Sequence, residues 1–200
     1  MSAAARVYRK AVDRRREIVD ATIAALADLG YAGATFESIR QKAQLSSTRM
    51  ISYHFADKAA LMGSVVETVV TDAAALMVPA MGREETVRGK LAAYIRTNLR
   101  YLADNREAAR AVIEVISNAP RPDSSMREDT SALLLALLLT QGQEAGEFRD
   151  FDTAVVARSI RATIDAFATR MPEGQAATHR AIDEIVALYD RATRPEGRLT

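Results

Sequence analysis

The sequence predicts an all-α protein of about nine helices, with a small N-terminal three-helix head of helix-turn-helix type followed by a larger helical body. Three observations predict it. Apolar residues recur at three- and four-residue spacing along nearly the whole chain, with no sustained alternation of apolar and polar residues. Gly and Pro fall between the periodic segments rather than inside them. Residues 35–61, TFESIRQKAQLSSTRMISYHFADKAAL, read as two short helices around a tight polar turn, then an aromatic plug and a further helix start.

Each element has its own justification. The first helix, roughly Arg14 to Leu29, carries Ile18, Thr22, Ala25, Leu26 and Leu29 on one face, and Gly30 follows as a C-terminal cap. Thr35 stands where an N-cap belongs for a helix over Phe36–Lys42, with Phe36, Ile39 and Ala43 inward. Gln44, Leu45 and Ser46 form the turn, with Leu45 as its apolar plug. Ser46 or Ser47 caps the third helix, which runs to about Tyr53 before His54 and Phe55. Asp57 caps the fourth, with Leu61, Val65, Val66 and Val69 inward, and Pro79 and Gly82 end or kink it.

Beyond this point the chain changes character. Residues 84–105 are amphipathic through Val87, Leu91, Tyr94, Ile95, Leu99 and Leu102, and residues 106–118 through Val112, Val115 and Ile116. Ala119-Pro120-Arg121-Pro122 breaks the pattern, and Ser125 with Glu128 makes a capping box for a helix containing LLLALLL, expected at the centre of the body. Asp152 caps a helix over 153–170, and Pro172 and Gly174 separate it from the last, about 177–192. The expected division is a head over residues 1–60 and a body over residues 61–200.

Composition narrows the function classes. The 200 residues hold no cysteine, which excludes disulfides, thiolate metal sites and a cysteine nucleophile. MSAAARVYRKAVDRRRE is basic without a long apolar stretch, so it does not read as a secretory signal. The longest uninterrupted apolar run, Ala132 to Leu139, falls far short of the ~20 residues that span a bilayer, so no membrane partner is expected and the chain reads as cytoplasmic. A net charge of +1 hides an asymmetry: up to Ala60, Arg and Lys outnumber Asp and Glu, and the remainder is mildly acidic. A basic front end on a neutral body suits a phosphate-binding head, although a solvated basic tail explains residues 1–12 equally simply. Two dispersed His and the absence of a Gly-rich phosphate loop, GxSxG or HExxH leave no metal site, cofactor or catalytic centre expected.

The motif points to double-stranded DNA. Its second helix is of the kind that enters the major groove, its N-terminal residues facing base edges and phosphates. Thr35 can offer a phosphate its hydroxyl and backbone N–H, or serve only as a cap. Ser46, Ser47 and Thr48 open the third helix, and capping accounts for one of them. Arg49 is the base-reading candidate, bidentate to guanine O6 and N7. Ser52 and Tyr53 reach phosphates or a thymine methyl, Lys58 meets a phosphate or is a plain surface lysine, and His54 is half structural with one nitrogen near a phosphate.

At these residues the chain resembles the tetracycline-repressor (TetR) family of transcriptional regulators. Gly30, Thr35, Ile39, Ala43, Leu45, Ser46, Tyr53, His54, Phe55, Lys58 and Leu61 follow the family pattern in order, over about residues 15–66. The sequence departs from the pattern at Gln44, where the turn usually has Gly and a positive φ is needed, and by one extra residue between Ser46 and His54. The resemblance implies a homodimer whose last two long helices form a four-helix interface. Ile160, Ile164, Phe167, Ile182, Val186 and Tyr189 are the candidates, unless they pack inside one monomer. It also implies an unidentified small-molecule effector bound between the fourth and eighth helices, with Met62, Met77, Met81, Tyr94, Tyr101, Met126 and Phe148 as lining or as plain core.

The expected function is therefore a homodimeric repressor that binds a palindromic operator and is released by a ligand in the body. The alternative is a helical small-molecule binding protein whose head does not read DNA. It predicts an acidic head lacking Arg49 or Lys58, and neither feature is present. An enzyme requires clustered titratable groups, which the sequence does not show.

Overall fold

A computed structural model of the chain describes residues 3–118 and 125–195, with side chains described over residues 13–118 and 131–195. Among the described residues there are nine helices and no strand: α1 Ala3–Gly33, α2 Phe36–Lys42, α3 Arg49–His54, α4 Lys58–Gly82, α5 Val87–Asp104, α6 Arg106–Asn118, α7 Ser125–Glu144, α8 Thr153–Thr169 and α9 Gln175–Thr193. The predicted Ala119–Pro122 break lies outside the described residues, as do the side chains of the predicted Ser125–Glu128 capping box. The helices divide between two compact units. One joins α1, α2, α3 and α4 up to Asp72 with α6; the other joins the rest of α4 with α5, α7, α8 and α9.

In the first unit α1 lays Ile18, Val19, Ala25 and Leu26 into a core completed by Ile39, Leu45, Ile51, Phe55, Leu61, Met62 and Val65. Thr22 is buried in this stripe without cost because its hydroxyl donates to the Ile18 carbonyl at 2.7 Å. Leu29, expected on the same face, is 52 % exposed. Its Cβ lies over Gly33 in the last turn of α1. Gly30 interrupts α1 at φ 67°, ψ 179°, a conformation open essentially to glycine alone.

The placement of α6 differs from expectation. Assigned to the body by chain order, it packs instead in the first unit, with Ala111 and Val115 in the core beside α1. Ile116, predicted to face inward, is exposed, and Ala109 and Ala111 are buried in its stead. The break at Gly30 explains part of this docking. The Tyr31 N–H, freed from the helical ladder, donates to Glu114 Oε2 of α6 at 2.9 Å, while the Tyr31 carbonyl accepts from Lys58 Nζ at 2.7 Å. The Lys58 ammonium also sits 4.5 Å from the Tyr31 ring centroid.

In the second unit α5 presents Leu91, Tyr94, Ile95 and Leu99 to Leu135 and Leu139 of α7, to α8 and to α9. Two expectations are corrected here. Ile160, Ile164, Phe167, Ile182, Val186 and Tyr189, predicted at a dimer interface, are all no more than 8 % exposed and form the core of this unit. With four helices to seal around α5, one apolar face each of α8 and α9 is used up internally, and the outward apolar residues are Val155 and Leu188 instead. The LLLALLL helix is also not buried all round: Leu135 and Leu139 are inside, while Leu133, Leu134 and Leu137 are exposed. Gly142, near the end of α7, lets the Phe148 ring lie directly on the helix backbone, since a Cβ there would fall 2.1 Å from it.

Polar contacts tie the second unit at its rim. Asp152 Oδ1 caps α8 through the Val155 N–H at 2.9 Å, as predicted. Arg88 of α5 forks onto Asp190 of α9, and Arg194 adds a further bond at 2.9 Å. The Arg88 hydrogen bond holds the Asp190 carboxyl down to about 2.

Among the described residues α4 alone is long and apolar enough to cross a membrane. Its inward residues Leu61, Met62, Ser64, Val65 and Val69 are buried, and its Asp72 pairs with Arg16 of α1 at 2.9 Å.

Candidate nucleic-acid interface

The head is built around two helix ends. Thr35, extended at φ −89°, caps α2: its Oγ1 accepts the Ser38 N–H at 3.2 Å, and Ser38 Oγ accepts the Thr35 N–H at 2.9 Å. Thr35 is exposed with its hydroxyl at the outer end of α2. At the other end Gln44 adopts φ 52°, the positive value the turn demanded. The Leu45 N–H then reaches back to the Arg40 carbonyl at 3.0 Å, the outer bond of a Schellman closure, and Leu45 turns inward to 5 % exposure. The Arg40 guanidinium, paired with Glu37 at 2.7 Å, also donates to the Leu45 carbonyl at 2.9 Å and fixes the turn.

Ser47 Oγ accepts the Arg49 N–H at 3.0 Å, but the residue at the N-cap of α3 is Thr48, which makes no side-chain cap bond, so the predicted Ser46 or Ser47 cap is replaced by this turn bond. The first turn is tight, with Met50 N bonded to the Ser47 carbonyl and Ile51 N to the Thr48 carbonyl, both three residues back. The phase of α3 is set by its anchors. Ile51 is fully buried and Phe55 is 2 % exposed. At ~100° per residue, positions 49 and 53 lie opposite Ile51, with positions 50 and 52 on the flanks. Arg49, Ser52 and Tyr53 are accordingly exposed, Tyr53 to 82 %. Together with Ser47 and Met50 they line an open concave patch. Ser46 is exposed beside it and Thr48 half-buried.

His54 closes α3 with its ring edge-on to Tyr53, centroids 5.1 Å apart. Partial burial, then the positive charges of Arg15 and Arg14, push its imidazole below the usual histidine range. Arg15 is a further residue of this site. Its guanidinium lies 4.6 Å from the Phe55 ring centroid, donates to Ser64 Oγ at 2.7 Å and to the His54 carbonyl at 3.3 Å, and so ties α1 to the end of α3 and to α4. Sequence pattern carries no sign of it, because these partners are 39 and 49 positions away. Lys58 is only half exposed, engaged with Tyr31, and burial lowers its pKa; its ammonium has two further N–H donors to offer. Asp57 caps α4 through the Ala60 N–H at 2.7 Å, which fixes Lys58 at the helix start.

Of the residues predicted to line a ligand site, Met62 belongs to the first unit, and Met77, Met81, Tyr94 and Phe148 belong to one core cluster of the second. Met62 is sealed in the core of the first unit at 1 % exposure. In the second unit Asn98 Nδ2 bonds both Met77 Sδ at 3.1 Å and the Tyr94 carbonyl at 2.9 Å, which brings Met77 and Tyr94 together. Met81 packs half-buried on the same core, Tyr101 is buried on α5, and Phe148 is buried against Gly142. The Met126 side chain lies outside the described residues.

The arrangement is a helix-turn-helix head carried by an all-helical chain, with the outward face of α3 polar, cationic and accessible. No family model matches the chain. Over 59 residues it is 37 % identical to the HTH-type transcriptional regulator BetI of Paraburkholderia phytofirmans, and 36 % identical to BetI of Paraburkholderia xenovorans. Both matches span 30 % of this chain and 30 % of the relative's length. A bacterial regulatory protein of the tetR family from Rhodococcus superposes with a TM-score of 0.76 at 20 % identity, covering 92 % of this chain and 98 % of that one. AibR, solved with isovaleryl coenzyme A and operator DNA, gives 0.74 at 16 % identity over 88 % and 97 %. The fold of this chain is that of solved TetR-family regulators.

Proposed function

We propose that this chain is a TetR-family transcriptional regulator that binds DNA through α3 and responds to a small molecule. In the finer reading it is a cytoplasmic homodimeric repressor: residues 1–60 bind a palindromic operator, and an effector in residues 61–200 releases it. The observation that carries the proposal is the phase of α3. Ile51 and Phe55 anchor one face in the core, and Arg49 and Tyr53 are exposed on the opposite face with Ser52 exposed on the flank. The resemblance of the head to BetI, named as a transcriptional regulator, supports the DNA partner. The likeness of the whole fold to AibR, solved with operator DNA and a coenzyme A thioester, supports a DNA partner and an effector together.

Arg49 is assigned to a guanine edge, and Thr35, Ser46, Ser47, Thr48, Ser52, Tyr53, His54 and Lys58 to phosphates and groove walls. The dimer is assigned to the outward faces of α8 and α9, with Val155 and Leu188 as apolar contacts. The test pairs light scattering with a binding titration on a cognate duplex. A dimer in solution, and a loss of ~1–3 kcal/mol with relaxed specificity in Arg49→Ala, are expected. A monomer, or an Arg49→Ala protein as tight and selective as wild type, contradicts the assignment.

A further inference from the structure

Met50 is an exposed apolar side chain on the DNA-facing side of α3. It is 38 % exposed although it sits one residue from the fully buried Ile51, and it lines the same concave patch as Arg49 and Tyr53. It lies on the flank of the outward face, ~100° around the helix from Arg49 and one residue along. A groove-facing thioether without donors gains nothing from phosphates. On the major-groove edges of the four bases, the one apolar feature is the C5-methyl of thymine. The surroundings match the charge of a duplex: Arg49 is exposed in the patch, and the positive field of Arg14 and Arg15 reaches His54 at the far end of α3.

We propose that Met50 is a specificity-determining residue that packs on the C5-methyl of a thymine next to the base read by Arg49. The inference rests on the DNA-binding reading above and names part of the sequence that α3 selects. Each half-site then carries a thymine whose methyl is worth about fourfold in affinity, the ordinary gain for burying one methyl group. Met50→Leu keeps an apolar contact and retains most of it; Met50→Ala forfeits it.

The test uses the full chain and the duplex it recovers from a random pool. Each thymine of the half-site is replaced in turn by deoxyuridine, which removes the methyl and leaves base pairing intact. Wild type and Met50→Leu should lose about fourfold at one thymine per half-site. Met50→Ala, which removes the contact in both half-sites of the proposed dimer, should bind the thymine duplex about sixteenfold more weakly, about fourfold for each half-site, and make no distinction at that position. The proposal is overturned if no thymine-to-deoxyuridine change weakens wild type, or if Met50→Ala still senses the methyl, which would pass the role to Tyr53. Failure to retain any duplex overturns the DNA-binding reading itself, and is told apart because no titration can then be run.

Discussion

Removing the Glu114 carboxylate should loosen the head from α6. The Tyr31 peptide is held on both sides, its N–H by Glu114 and its carbonyl by Lys58. Glu114→Ala deletes a charge-assisted hydrogen bond, of a kind worth ~1.5–3 kcal/mol, and leaves the Tyr31 N–H without its acceptor at a helix break. Both residues are half-buried, so water recovers part of the loss, and alanine's better helix propensity returns a few tenths. The net cost is about 1–2 kcal/mol. Glu114→Gln keeps a carbonyl acceptor without the charge and should lose about half as much. The assay is urea unfolding followed by circular dichroism, comparing midpoints at constant slope. If Glu114→Ala unfolds at the wild-type midpoint, the contact contributes nothing and the docking of α6 rests on Ala111 and Val115 alone.

Three further outcomes follow from the same geometry. Gln44→Gly should stabilise the protein by about 0.5–1 kcal/mol, because glycine accepts φ 52° without the steric penalty that glutamine pays; an unfolding midpoint unchanged or lower would contradict this. Asp190, held at about 2 by Arg88 against an ordinary value of 3.8, contributes stability that is full above about pH 4 and is lost as pH falls towards 2. Asp190→Asn should remove about 1–2 kcal/mol at pH 7 and only a small part of that at pH 2, measured by urea unfolding at both. His54 is depressed in the folded state, so the unfolded chain takes up its proton first. Its share of stability is full above about pH 6.5 and declines as pH falls towards the folded value, and a His54→Gln variant should show a flatter pH profile over that interval.

Local features of the fold were legible because the residues that make them are neighbours in sequence. Thr35, Asp57 and Asp152 cap the helices they precede, and the departure at Gln44 announced a positive φ. The limits of α2 and α6 follow from periodicity and breakers alone. What periodicity does not give is the partner of an apolar face. The stripe of α6 is visible, but its docking on α1 depends on Glu114 meeting a peptide 83 positions away. Likewise, the apolar residues of α8 and α9 read the same whether they face a second copy or α5, and only the packing shows that Ile160 to Tyr189 are core.

The site was partly legible for the same reason. Exposure of Arg49, Ser52 and Tyr53 follows from the anchors Ile51 and Phe55, yet the sequence alone does not say which residues of so short a helix are the anchors. Met50 is not legible from sequence, because an apolar residue in a short helix reads as core until its direction is known. Lys58 carried the reverse difficulty: a lysine at a helix start reads as a phosphate contact, and its hold on the Tyr31 carbonyl is a tertiary feature.

The central claim is that the outward face of α3 reads DNA. The most direct measurement is selection of bound duplexes from a random pool by the purified full chain at two salt concentrations. A palindromic sequence is expected at both, with affinity falling steeply as salt rises because phosphates are neutralised on binding. A pool without enrichment at either salt would contradict it.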